Sequence, residues 1–399
     1  MGAGMPKRAL EPADFPFYDY RPYAFSLGVA AGGRAWLSGH TASRFDADSG
    51  RMVVAGSLAE QAAVAQAKQR AILAAAGMDF GNVVRIVDYV TPAGRDAYAE
   101  LAGARRRLYG DNPPAVSTML VNSLLRPEAL IESEITAAHG TAQRFGAGGF
   151  AGVPAAAAVQ SGDLLYCGAI LPLDATGRVV EGGLLAQAEQ IYRNAEAVLR
   201  AAGYGMADVV RTHEYVHVSA LPGYRETWRV RAAHFGPPGS CAVAATGVLM
   251  RELAVPGALL QVEFVACRGE KQALNPGWRR YERLTYAPAV CAGGLVFCSG
   301  QLSTDPETGE VAHPGDVAEQ ARFIYGNVRR VLAAAGLEMD AIVKTVEYVT
   351  PAALPDYRAT AAVRREFFRP PLPAATGIVC KALLRPEALI EIECLAVSN

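Results

Sequence analysis

A chain of 399 residues carrying 38 Lys plus Arg against 39 Asp plus Glu has a formal charge of −1, so neither a basic nucleic-acid surface nor an acidic solvating tail is expected. With 51% apolar and 19% charged residues and no apolar run of about 18 residues, a globular protein without a membrane span is expected. Seven scattered cysteines with no Cys-x-x-Cys pair argue against a disulfide framework and against a thiolate zinc site.

In chain order, Met1 to Asp19 carries Pro6, Lys7, Arg8, Glu11 and Pro12 where an export signal needs an apolar core, so the cytoplasm is the expected compartment. Beyond this tail the chain repeats itself three times. Leu124-Leu125-Arg126-Pro127-Glu128-Ala129-Leu130-Ile131-Glu132 recurs as Leu383-Leu384-Arg385-Pro386-Glu387-Ala388-Leu389-Ile390-Glu391, with Val255-Pro256-Gly257-Ala258-Leu259-Leu260-Gln261 as a degraded middle copy. Leu37-Ser38-Gly39-His40, Tyr166-Cys167-Gly168-Ala169 and Cys298-Ser299-Gly300-Gln301 recur in the same order, as do Ala-Ala-Gly triplets ending at Gly77, Gly203 and Gly336. A fixed period marks repeated structural units. The chain divides into a tail (1–19) and repeats over 20–142, 143–272 and 273–399.

Each repeat opens on two strands joined at a Gly-rich turn (Gly32-Gly33, Ser161-Gly162-Asp163, Gly293-Gly294), a hairpin signature. A helix follows, with capping-box pairs Ser57/Glu60 and Asp316/Glu319 in the first and third repeats, and stops at Ala-Ala-Gly. Next come an apolar strand (Val84 to Val90, Val210 to Val216, Val343 to Val349) and a second helix centred on Tyr98, Tyr224 and Tyr357. Proline pairs (Pro113-Pro114, Pro237-Pro238, Pro370-Pro371) then precede two final strands. Each unit is therefore an α+β element, a mixed sheet with two helices on one face. The glycine-rich stretch Gly146 to Gly149 and the polar stretch Arg268 to Arg280 are expected to be flexible linkers.

Val296-Phe297-Cys298-Ser299-Gly300-Gln301, Asp305-Pro306-Glu307-Thr308-Gly309-Glu310, Ile342-Val343-Lys344-Thr345-Val346 and Ile390-Glu391-Ile392-Glu393 resemble the RidA (YjgF) family of reactive-intermediate deaminases, the third repeat most closely. The resemblance spans about Tyr20 to Val397. It implies a chorismate-mutase-like fold in which three units, separate subunits in most members, form a pseudo-trimer around a central β-barrel, with ligand clefts between units. It also implies hydrolysis of imines or enamines; from the residues themselves, no cofactor or metal is expected. The family's last-strand glutamate falls on Glu132, Gln261 and Glu391, and its N-terminal tyrosine on Phe25, Pro154 and Tyr286. The family's carboxylate-binding arginine is absent: its positions hold Val116, Ala245 and Ala375, followed by Ser117, Thr246 and Thr376. A guanidinium–carboxylate fork has no methyl substitute.

On the last strand Glu391 and Glu393 share one face, as do Glu132 and Glu134, opposite the aliphatic residues. Glu391, Glu132 and Tyr286 are the candidate catalytic groups, since a partly desolvated carboxyl serves as acid or base near neutrality. Glu134, Glu263 and Glu393, present in every copy, are expected to pair across repeat boundaries. Arg385, Arg126, Thr376, Ser117, Ser299, Gly300, Gln301 and Glu347 form the candidate substrate-binding set. Asp88, Glu214 and Glu347 put one acid at each central strand and are expected to bridge between repeats or face a cleft.

The expected function is acid–base chemistry (tautomerisation, dehydration, cyclisation, or imine or enamine hydrolysis) on a small metabolite bound at repeat interfaces, in a specialised biosynthetic setting. The alternatives are a non-catalytic metabolite-binding scaffold and a chorismatase-like hydrolase or lyase. The last is disfavoured because no basic cluster suited to a dicarboxylate is visible. No nucleic-acid or membrane partner is expected, and the chain is expected to be a monomer or a homodimer.

Overall fold

The computed structural model describes residues 6–398. The first repeat shows how each unit is built. The hairpin Gly28–Ala31 and Arg34–Leu37 pairs antiparallel with the last strand, Ile131–Ala138. That strand pairs antiparallel with Val83–Val90, which pairs in parallel with Ala115–Leu120. The same order holds for Ala155–Ser161, Leu164–Cys167, Leu260–Cys267, Val209–His217 and Ala244–Met250. It holds again for Ala289–Ala292, Leu295–Cys298, Ile390–Val397, Ile342–Val349 and Ala374–Val379.

The long helices Leu58–Ala75, Gly183–Ala201 and Val317–Ala333 cover one sheet face. Ser57 and Glu60 close a full capping box, whereas Asp316 caps alone and Glu319 pairs with Arg322. The glycines that end these helices, Gly77, Gly203 and Gly336, have φ of 69° to 74°, the left-handed conformation that favours glycine. The expected second helix is broken: short turns beginning at Pro92, Val218 and Pro351 lead through the tyrosine to Leu101–Tyr109, Trp228–Phe235 and Thr360–Phe367. The break turns Tyr98, Tyr224 and Tyr357 toward the strand acids.

Neither expected linker is loose. Ala142–Gly148 pairs with Ala155–Ser161, and Lys271–Leu274 with Ala289–Ala292, as Arg8–Ala9 pairs with Gly28–Ala31 in the first repeat. Trp278, in the second of these stretches, is buried. The hairpin edge is thus already occupied, so the neighbouring repeat meets it at single residues: Ala115 with Ala156, Ala244 with Ala287, and Ala374 with Ser26. The ladders consequently form a 13-stranded and an 8-stranded sheet, and no continuous closed barrel is present among the described residues.

Each repeat packs its own helices on its own sheet, and two further cores draw on all three repeats. One contains Trp36, Tyr166 and Phe297, the other Tyr89, Tyr215 and Tyr348. Charges lie along these inner faces. Arg85 reaches Glu263 at 2.9 Å, Arg211 reaches Glu393 at 2.8 Å and Lys344 reaches Glu134 at 3.0 Å, so each repeat gives a cation to the next. Ser117, Thr246 and Thr376 donate to the same three carboxylates, at 2.5, 2.8 and 2.7 Å. The expected pairing of Glu134, Glu263 and Glu393 across boundaries is the observed geometry.

Replacing one member of this ring leaves a buried charge without its partner. Glu263→Gln is expected to cost about 3–5 kcal/mol in urea unfolding. Removing the exposed Arg193 from its 3.8 Å pair with Glu189 should change stability by less than about 0.5 kcal/mol.

Candidate functional site

The marker glycines exist because a carboxyl group occupies the place of their side chain. A Cβ on Gly300 would lie 2.1 Å from Oε1 of Glu391 and 2.8 Å from Cγ2 of Thr246. On Gly39 it would lie 2.0 Å from Oε1 of Glu132 and 2.9 Å from Cγ2 of Thr376. Any substituent would displace the glutamate or the neighbouring repeat. The backbone completes each cradle, with Gly300 N–H donating to Ala245 at 3.1 Å and Gly39 N–H to Ala375 at 3.2 Å. In the second repeat the carboxyl is missing, and a Cβ on Gly168 would instead meet the Val116 carbonyl at 2.8 Å.

The three repeat boundaries differ. Between the first and second repeats, Gln261 is buried and donates to the Thr118 carbonyl at 3.0 Å, while Phe150 packs on Tyr98. Between the third and first, Lys68 is buried, donates to the carbonyls of Thr41 and Ser43, and lies 5.4 and 5.0 Å from the rings of Phe17 and Tyr18. The N-terminal aromatic segment therefore lies over the Glu132 side. Arg126 follows the strand Ser123–Leu124, which pairs with Ile378 and Val379 of the third repeat.

Between the second and third repeats a cavity of about 830 Å³ opens, within the size range of small-molecule sites. Of the sequence-derived candidates, Glu391, Tyr286, Gly300, Gln301 and Arg385 line it. Ser299 lies behind the wall, donating to the Ala287 carbonyl at 2.6 Å and accepting from Ala245 N–H at 2.9 Å. Thr376 and Ser117 are engaged with the ring glutamates. Glu347 lies in its own repeat, held by Arg364 at 2.8 Å, Tyr357 at 2.6 Å and Tyr325 at 2.9 Å.

Burial, reinforced by Glu393, pushes the Glu391 carboxyl up to about 8. Its Oε2 is buried without a hydrogen-bond partner. Burial also pushes Glu132 up to about 8, against the pull of Lys344. Tyr286 is raised by burial and stays protonated at neutral pH. Burial pushes the Cys167 and Cys298 thiols up to about 12, so neither is an activated nucleophile. Among the described residues, no group of three His, Cys, Asp or Glu is arranged to hold a metal ion.

Two features escape a motif-by-motif reading. Asp88, Glu214 and Glu347 do not bridge repeats; each is buried with a tyrosine ten residues on and an arginine seventeen residues on. Tyr98 donates to Asp88 at 2.6 Å and Tyr224 to Glu214 at 2.6 Å, with Arg105 and Arg231 completing the pairs. The strand turns these acids toward the helices, where the second helix supplies the cation, and the constant spacing was the available signal. The other feature corrects the expected lack of a basic cluster. Arg225, Arg231, Arg280, Arg283 and Arg385 all line the open cleft, against only Glu214 and Glu391. They come from separate segments of two repeats, which no local charge run reveals.

The model of the family described as endoribonuclease L-PSP matches the chain three times, over residues 20–139, 153–268 and 280–398. The chain belongs to this family, the RidA (YjgF) family that its motifs resemble, as three tandem units. The chain is 38% identical over 115 residues to the 2-iminobutanoate/2-iminopropanoate deaminase of Escherichia coli, an alignment covering 28% of this chain and 86% of that protein. A RutC family protein of Pyrococcus horikoshii is 32% identical over 111 residues, covering 28% and 85%. A crystal structure of a chorismatase covers 80% of this chain and 94% of its own, with a TM-score of 0.54 and 18% identity, a likeness of fold. No helix among the described residues is long and apolar enough to cross a membrane.

The carboxyl groups set a pH dependence of stability. Glu391 and Glu132 have folded values raised from 4.5 to about 8, so their protonated forms favour folding and stability falls as pH rises from 4.5 through 8. Burial alone would raise Glu134, but Lys344 and Arg85 outweigh it and hold it at about 2. Its contribution is full above its ordinary value and is lost as pH falls through 2. Each of these groups contributes a limb of up to about 1.4 kcal/mol per pH unit, Glu391 and Glu132 on the alkaline side of about pH 4.5 and Glu134 on the acid side. In denaturant midpoints measured against pH, Glu391→Gln should flatten the alkaline limb and leave the acid limb unchanged.

Proposed function

We propose that the chain is a RidA-like enzyme acting on a small imine, enamine or carbonyl compound in the cleft between the second and third repeats. In this reading the three repeats work as a closed pseudo-trimer within one chain, in the cytoplasm, as a monomer or a dimer of such units. One observation carries the proposal: Glu391, cradled on Gly300 with Oε2 unpartnered, lines an open cavity and is held largely protonated at neutral pH. A protonated carboxyl poised near the working pH is an efficient proton donor.

For an imine, Glu391 gives its proton to the nitrogen, and water adds to the electrophilic carbon. Water gives one proton back to Glu391 as it adds, and the resulting carbinolamine collapses to a carbonyl compound and an amine as its hydroxyl proton passes to the departing nitrogen. Tautomerisation needs only the proton transfer. Tyr286, un-ionised, offers a hydroxyl donor to the reacting group or to the water. The sequence relationship to a 2-imino acid deaminase supports the reaction class, and the arginine-lined cleft supports an anionic substrate.

The test is turnover of freshly generated imines and enamines, followed as amine or ammonia release. Glu391→Gln is expected to lower kcat by about 10²–10⁴-fold, the usual contribution of a positioned acid. Glu132→Gln, on the covered boundary, should leave it within about threefold. Equal turnover by wild type and Glu391→Gln would remove the acid–base reading and favour a non-catalytic binding role.

A further inference from the structure

The open cleft has lost the family's strand arginine at Ala245, yet it is the most cationic concavity described. Two of its guanidinium groups stand close to Tyr286. Arg231 comes from the helix Trp228–Phe235 of the second repeat. It pairs with Glu214 through Nη1, and its Nε crosses the repeat boundary to the Thr285 hydroxyl at 3.0 Å, next to Tyr286. Its counterpart Arg364 spends both Nε and Nη2 on Glu347, so the second-repeat arginine is turned out of its own repeat toward the third. Arg280 comes from the short helical segment Arg279–Arg283, is half-buried, and forms no ion pair among the described residues. Arg280, Arg231, Tyr286, Glu214 and Glu391 all line the same cavity, and the charges of both arginines and both glutamates act on the Tyr286 hydroxyl.

We infer that Arg280 and Arg231, which line the cleft together with Tyr286, form a rebuilt receptor for a carboxylate on the substrate, replacing the guanidinium missing at Ala245. This rests on the cleft being the site proposed above. The physical argument is charge balance. Arg231 is matched by Glu214, but Arg280 is an unmatched, half-buried cation facing a concavity whose only other acid, Glu391, is reserved as a proton donor. A bound carboxylate would take the Arg280 fork and the remaining Nη2 of Arg231, and charge-assisted contacts of this kind are the strong ones. Such a ligand would extend from Tyr286 toward Glu391, so its carboxylate end would orient the reacting group over the acid.

Trp228 and Trp278 both line the cavity, so intrinsic fluorescence reports its occupancy. Full-length protein titrated with benzoate and with its neutral isostere benzamide should show saturable binding of benzoate only, weakened by added salt. Arg280→Gln should weaken benzoate binding by about tenfold or more, as expected for a lost charge-assisted contact. Arg107→Gln, an exposed change on another repeat, should not alter it. Because Arg231→Gln strands the buried Glu214, the double variant Arg231→Met with Glu214→Met is the matched test of the second arginine and should also weaken benzoate. No saturable benzoate binding, equal binding of benzamide, or wild-type affinity in Arg280→Gln overturns the inference. Glu391→Gln separates the two proposals: it should abolish turnover while retaining benzoate binding. Retained turnover with Arg280-dependent binding would sink the acid and leave the receptor standing.

Discussion

The cyclic exchange of charge between repeats is the constraint on which the molecule depends. Arg85 pairs with the second repeat's Glu263, Arg211 with the third's Glu393, and Lys344 with the first's Glu134. Each carboxylate also accepts a hydroxyl from the cation's own repeat. Buried ion pairs of this kind add little net stability over apolar packing but punish any arrangement that leaves one member alone. A repeat that slipped by two residues along the inner face would strand a cation and a carboxylate at two boundaries at once. The ring therefore acts chiefly on register, and register determines which side chains meet at the clefts.

That register brings a glutamate onto a glycine. With the inner strands fixed by Glu134 and Glu393, residues Glu132 and Glu391, two positions earlier on the same face, must fall at the repeat boundary. There the approach of Gly39 and Gly300 leaves no room for a Cβ. The pairing desolvates the carboxyl group without a direct ion pair, so at Glu132 burial outweighs the pull of Lys344 and Lys68, while the neighbouring Glu134, paired directly with Lys344 and Arg85, is pulled down. Glu132 and Glu134 thus have opposite electrostatic roles on one strand, set by which of them the cations reach directly, whereas at Glu393 burial outweighs the pull of Arg211 and both glutamates of the third repeat are raised.

Much of this was legible in the letters. The three-fold period, the hairpins, the helix caps at Ser57 and Asp316, the central strands and the cross-boundary role of Glu134, Glu263 and Glu393 all follow from local spacing and two-residue alternation. What was not legible depends on partners brought together by the fold. The acids at Asp88, Glu214 and Glu347 suited a cleft or an interface, and only the folded second helix shows that Arg105, Arg231 and Arg364 meet them within each repeat. The arginines of the open cleft come from residues as far apart as Arg225 and Arg385, so no window along the chain could display them. The stretches expected to be linkers are polar and glycine-rich, but their backbone groups complete hairpin edges, a role that side-chain pattern does not encode.

Fusion explains why the three boundaries are unlike. In a homotrimer every substitution appears at all three interfaces, so a change that closes one cleft closes them all. Within one chain the boundary between the first and second repeats is sealed by Gln261 and Phe150, and Lys68 anchors aromatic residues over the next. The remaining boundary keeps Glu391 and gathers arginines from both of its walls. The cation–carboxylate ring is kept at all three, because it sets the geometry of the whole assembly. Conservation of the ring and divergence of the clefts are therefore two outcomes of one arrangement: what fixes register is shared by every boundary, and what contacts a ligand is free to differ at each.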